Sequence, residues 1–95
     1  MISIYRYTIT IPKNDNLITI EIHDGARFLR AGMQGGEYSI WAIVDTEAAL
    51  VPHHFYIIGT GTECGDVSIS QYLGTIESLN GTYAYHIFNG GNTIQ

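Results

Sequence analysis

Four histidines, one cysteine and nine carboxylates are the side chains of this 95-residue sequence that could do proton, thiol or metal chemistry. Their spacing selects none of these uses. Structural zinc is held by Cys or His in short paired spacings, and His23, His53, His54, His86 and Cys64 contain no such pair. His53 and His54 are adjacent, and on a strand adjacent side chains point to opposite faces. Cys64 has Glu63 and Asp66 beside it, and neighbouring carboxylates raise a thiol pKa instead of activating the sulfur. No two carboxylates stand at a spacing that marks an acid and base pair, and Glu21 and Glu77 read as strand-surface residues. The sequence therefore predicts no catalytic residue, no metal and no cofactor: a protein that is not an enzyme.

Two other features suit holding a ligand better than transforming one. In Gly59-Thr60-Gly61-Thr62 the alternating glycines let backbone N–H groups approach an anion, and the two Thr hydroxyls can donate to phosphate. The Lys-Ser/Thr ending and following helix of a phosphate-binding P-loop are missing, and Gly-Thr-Gly serves equally as a strand exit and turn. The second feature is aromatic: Trp41, seven Tyr and three Phe. Exposed aromatics stack nucleobases without needing a basic groove, whereas most of Tyr7, Phe28, Trp41, Phe55 and Phe88 read as core. Arg6, Arg27 and Arg30 are nearly all the cationic charge, four Lys+Arg against nine Asp+Glu for a net charge of −5. A duplex DNA binder neutralises many phosphates, but a compact ligand with two or three needs only one or two such residues. The charge balance excludes DNA and favours a small anionic ligand.

The elements that must position these residues are strands. The chain is 45% hydrophobic and 14% charged, which excludes disorder, and Ile, Thr and Val together supply 27 β-branched residues. Alternation runs from Ile2 to Ile11 until Pro12, and again from Leu17 to Ile22, with a polar turn over 13–16 that predicts a hairpin between them. Further strands are read at Arg27 to Met33, Tyr38 to Val44, His53 to Ile58, Tyr72 to Glu77 and Tyr83 to Phe88. Arg27 to Ala31 would also tolerate one helical turn. Asp24-Gly25 and Gly35-Gly36 mark turns, Asn80-Gly81 is the strongest hairpin signal, and Asp45 to Ala49 reads as a loop. About seven short strands and no helix of useful length predict an all-β protein, a small antiparallel β-sandwich or barrel. Residues 1–95 form one domain, with an ordered core over 1–89 and a loose tail over 90–95. Nothing resembles a signal peptide or an 18-residue apolar span, so the expectation is a soluble, cytoplasmic chain away from membranes.

In their order, Ile4-Tyr5-Arg6-Tyr7, Asp24 to Leu29, Trp41-Ala42-Ile43-Val44-Asp45, Phe55 to Gly61, Tyr72-Leu73-Gly74-Thr75-Ile76 and Tyr85-His86-Ile87-Phe88 resemble a family of small bacteriophage-encoded proteins of unknown function. The resemblance spans residues 4–88. The chain departs from it at Thr62-Glu63, where a His-Pro-like pair is more usual. Small β-rich phage proteins of this kind include nucleotide sponges. The resemblance thus implies a counter-defence protein of the host bacterial cytoplasm that binds and sequesters a cyclic-nucleotide or ADP-ribose-type immune signal, such as those of CBASS or Thoeris, without hydrolysing it. Such a sponge would be a homo-oligomer. Its stacking residues would be Trp41 and Tyr72, its phosphate or ribose donors Gly59, Thr60, Gly61 and Thr62, its charge partner Arg27, and His54 a further polar contact. The competing expectation is a non-enzymatic accessory protein, acting in virion assembly or by occluding a host factor.

Overall fold

Alternating β-branched and polar residues give the chain seven antiparallel strands. The computed structural model describes residues 1–13, 15–64, 71–78 and 80–91. The strands are β1 (Ile2–Thr8), β2 (Leu17–His23), β3 (Arg27–Gln34), β4 (Glu37–Asp45), β5 (Leu50–Gly59), β6 (Gln71–Glu77) and β7 (Ala84–Gly91). They form a three-stranded sheet in the order β1-β4-β3 and a four-stranded sheet in the order β2-β5-β7-β6. Among the described residues there is no helix, and so none long and apolar enough to cross a membrane.

Period-2 alternation sorts each strand into an inner and an outer row. Ile22, Ile40, Ala42, Phe55 and Ile87 are fully buried between the sheets, and Ile18 and Ile20 pack beside them. Two strand pairs are local hairpins, β3 with β4 and β6 with β7, and Gly81 at the second takes the positive φ of +71° that its turn needs.

The expected β1–β2 hairpin does not form. β1 pairs with β4 from Ile2↔Asp45 to Thr8↔Ser39, while β2 pairs with β5 in the other sheet. The chain passes from one sheet to the other between Thr8 and Leu17, so the two apolar rows are buried on opposite sides of one core. β1 also ends at Thr8 and not at Ile11, although the Ile9 N–H still donates to the Tyr38 carbonyl of β4 at 2.9 Å. Gly90 and Gly91, expected in a loose tail, belong to β7, and the rest of the expected tail, 92–95, lies outside the described residues. β5 starts at Leu50 and takes in Pro52 ahead of its first pair with β7 at His54.

The two sheets meet at two corners. At one, Tyr5 of β1 and His23 of β2 approach edge to face at 6.0 Å. At the other, β3 lies so close to β6 that a Cβ on Gly74 would stand 2.6 Å from the Ala31 carbonyl oxygen. Both strands carry a bulge at this corner. Leu29 is the extra residue between Phe28↔Ala42 and Arg30↔Trp41, and Leu73 the extra one between Tyr72↔Phe88 and Gly74↔Ile87.

A polar pair, His53 and Asn89, lies on the inner face. The His53 ring packs against Phe28 (4.6 Å) and Phe55 (5.1 Å), and its Nε2–H donates to Asn89 Oδ1 at 2.6 Å. The Asn89 oxygen also accepts from the Gly91 N–H, and its Nδ2 donates to Gln71 Oε1. Burial holds the His53 pKa below its ordinary value of 6.5, although the Asn89 bond opposes the shift.

Two outcomes follow. Gly74→Ala places a methyl against the Ala31 carbonyl, which forces the corner apart; a loss of about 1–3 kcal/mol in urea unfolding is expected, the usual cost of overpacking. The neutral His53 ring stabilises the fold fully above its unfolded pKa of 6.5, and that contribution is lost as pH falls below it, since the unfolded chain then takes up a proton the folded ring resists. The urea midpoint should be lower at about pH 5 than at about pH 7.5, and His53→Gln should flatten this difference.

Candidate functional site

The outer row of the three-stranded sheet gathers the chain's arginines. Across the strands, Arg6 of β1 pairs with Trp41 of β4, and Trp41 pairs with Arg30 of β3. The next row is Ile4, Ile43 and Arg27. Strict alternation would send Arg27 and Arg30, three residues apart, to opposite faces. The Leu29 bulge restores both to the outside and leaves Phe28 and Ala31 buried within.

Within this row the Arg30 guanidinium lies over Trp41, 5.8 Å from the ring centroid, inside cation–π range. Gly32 leaves room for it, since a Cβ there would meet Arg30 Nη2 at 2.7 Å and Trp41 Cζ3 at 3.4 Å. Arg6 is held by Glu37 (Nη2 to Oε1, 3.6 Å) and donates to the Gln34 carbonyl and to Ser39 Oγ, both at 3.4 Å. Among the described residues Arg27 and Arg30 have no carboxylate within 4.0 Å. A groove of about 340 Å³ opens at the end of this sheet between Thr8–Ile11 and Gly36–Tyr38.

The outer row of the four-stranded sheet is different in kind. Thr60 Oγ1 lies 2.7 Å from His86 Nε2, His86 Nδ1 lies 2.9 Å from Thr75 Oγ1, and Thr75 Oγ1 lies 2.5 Å from the Tyr72 hydroxyl. Here too a bulge sets the faces: Leu73 turns inward, and Tyr72 and Thr75 come out together. The Gly59–Thr62 turn closes with the Thr62 N–H donating to the Gly59 carbonyl, and Gly61 has φ +88°. Clefts of about 350 and 250 Å³ flank the turn on its two sides.

The eight residues singled out in the sequence therefore do not form one site within a single chain. Arg27 and Trp41 lie outside one sheet; Gly59 to Thr62, Tyr72 and His54 belong to the other, with the core between. His54 points outward but is only 9% exposed, and its Nδ1 is bonded to Thr19 Oγ1 at 2.9 Å. The expectation that His53 and His54 face opposite ways holds. The inward ring is the half-buried one and the outward ring the buried one. Arg6, Arg30, Thr75 and His86 complete the two clusters, and none is selected by spacing: each joins through cross-strand register. Among the described residues, no three His, Cys, Asp or Glu side chains converge as a metal site would require.

The family model of a domain of unknown function, DUF7352, matches residues 1–94, and the chain belongs to that family. No curated protein and no solved structure matches it.

Proposed function

We propose that this member of the DUF7352 family binds a small nucleotide-type anion on the Arg6–Trp41–Arg30 row and holds it without chemistry. One observation carries the reading. In a chain of net charge −5, three of the four Lys+Arg residues project from one sheet face, two of them flanking the sole tryptophan in register. An indole offers a base its stacking surface, and guanidinium groups offer phosphate paired, charge-assisted hydrogen bonds. Two or three arginines match a ligand with two or three phosphates, not a polynucleotide. Retention without turnover agrees with the neighbours on this face: Ile2, Ile4 and Ile43 are apolar, and the buried Ser39 hydroxyl donates to the Glu37 carbonyl. In the biology implied by the phage-family resemblance, such a protein would sequester a cyclic-nucleotide or ADP-ribose-type immune signal in the bacterial cytoplasm.

A second reading, a non-enzymatic accessory protein that acts through its surface in virion assembly or on a host factor, is favoured by one feature. Ile2 and Ile4 are 67% and 61% exposed on an edge strand, continuous with the arginine row. Ile4→Lys, judged by capture of a host or virion protein, separates the two readings: it should abolish that capture if the second holds, and leave nucleotide binding intact if the first does.

Trp41 is the only tryptophan, so its fluorescence reports on the site directly. Saturable quenching by cyclic di- or trinucleotides or by ADP-ribose-type compounds is expected, with intact ligand released on heating. Arg30→Ala should weaken binding by roughly 10- to 100-fold, the loss of one charge-assisted contact. Absence of quenching by every nucleotide tried, or recovery of a cleaved product, overturns the proposal.

A further inference from the structure

We infer that the 250 Å³ cleft beside the Gly59–Thr62 turn is a second binding site, independent of the arginine row, that takes the uncharged polyol ring of a nucleoside or sugar. Its floor is apolar, made by Ile58 and Phe88, and its wall is polar, made by Thr60, Thr62 and His86. Among the described residues, no acid, lysine or arginine lines it. A phosphate would find no cation there, whereas a ring with one C–H face and one hydroxylated face finds a partner for each.

The hydrogen-bonded row running away from the cleft strengthens this assignment. Thr60, His86, Thr75 and Tyr72 are linked end to end by side-chain contacts of 2.5–2.9 Å. A neutral imidazole donates from one nitrogen and accepts at the other, so the row has two proton arrangements. In one, Tyr72 donates to Thr75, Thr75 to His86 Nδ1 and His86 Nε2–H to Thr60, which leaves the Thr60 O–H free to donate to a ligand. In the other every bond reverses: the Thr60 proton is engaged with His86, its oxygen accepts from the ligand, and the free O–H is that of Tyr72. The cleft can thus present either a donor or an acceptor at Thr60. A sugar hydroxyl, which is both, fits either arrangement. The side chains are already ordered by one another, so binding immobilises little.

The test is an amide NMR titration of the full chain with uncharged nucleosides, with hexoses and short glycans, and with nucleoside 5′-monophosphates. Saturable shifts are expected at Gly59–Thr62, Thr75 and His86 with either the nucleosides or the glycans, and the responding class identifies the source of the ring. Thr60→Val should weaken binding roughly three- to tenfold, as loss of one neutral hydrogen bond does, and Trp41→Ala should leave it unchanged. If Thr60→Val perturbs the fold, judged from its own spectrum, Thr75→Val breaks the same row from its middle. No saturable shift with any uncharged ring overturns the inference. So does a monophosphate that binds this cleft more than tenfold tighter than its nucleoside, or shifts confined to the Arg6–Trp41–Arg30 face.

Discussion

The backbone of β6 passes so near that of β3 that only a hydrogen fits at Gly74, and the arrangement of both outer faces depends on that corner. Two regular strands meeting there would each present a strict alternation. Instead each carries one extra leucine, Leu29 in β3 and Leu73 in β6. A bulge bends its strand and increases the local twist, which is what closing a sandwich corner demands. It also reverses the inside–outside parity of everything beyond it. Arg27 and Arg30 share a face for this reason, as do Tyr72 and Thr75.

The two faces divide chemistry cleanly. One holds the arginines and the tryptophan; the other holds hydroxyls, the His54 and His86 imidazoles and aromatic rings, with no Lys or Arg among the described residues of its cleft. Concentrating scarce positive charge on one sheet gives an acidic molecule a local positive surface. Between the faces lies a core of fully buried Ile, Ala and Phe residues in which His53 and Asn89 satisfy each other.

Strand content, antiparallel character and the positions of most strands were legible, because period-2 alternation and the Gly-rich turns are local signals. The Asn80-Gly81 hairpin is the clearest instance. Pairing was not legible. The polar stretch at 13–16 looks like a hairpin turn, yet it spans two sheets, since nothing local distinguishes a tight reversal from a crossing. The site was half legible for the same reason. Arg27, Trp41, Tyr72 and the Gly59–Thr62 turn are singled out by residue type, but their grouping rests on two bulges and on registers such as Arg6↔Trp41↔Arg30, all set by tertiary packing. A bulge has no sequence mark in Phe28-Leu29-Arg30, and His86 gives no sign that both of its nitrogens are engaged.

The crossed pairing of the first two strands also governs when the chain can fold. β1 has no partner until β4 exists, and β2 none until β5, so the first hairpin available is β3 with β4. At synthesis rates of about 5–20 residues per second, β1 waits several seconds between its own completion and that of Asp45. During that interval Ile2 and Ile4 belong to an unpaired apolar strand, and β2 follows in the same condition. The pairs that β7 makes with β5 and β6 come last, since β7 is the final strand in the chain order. The molecule is therefore assembled from its middle outward, with long-range pairings setting the rate, and its N-terminal segment is the part most exposed to misassociation before the domain is complete.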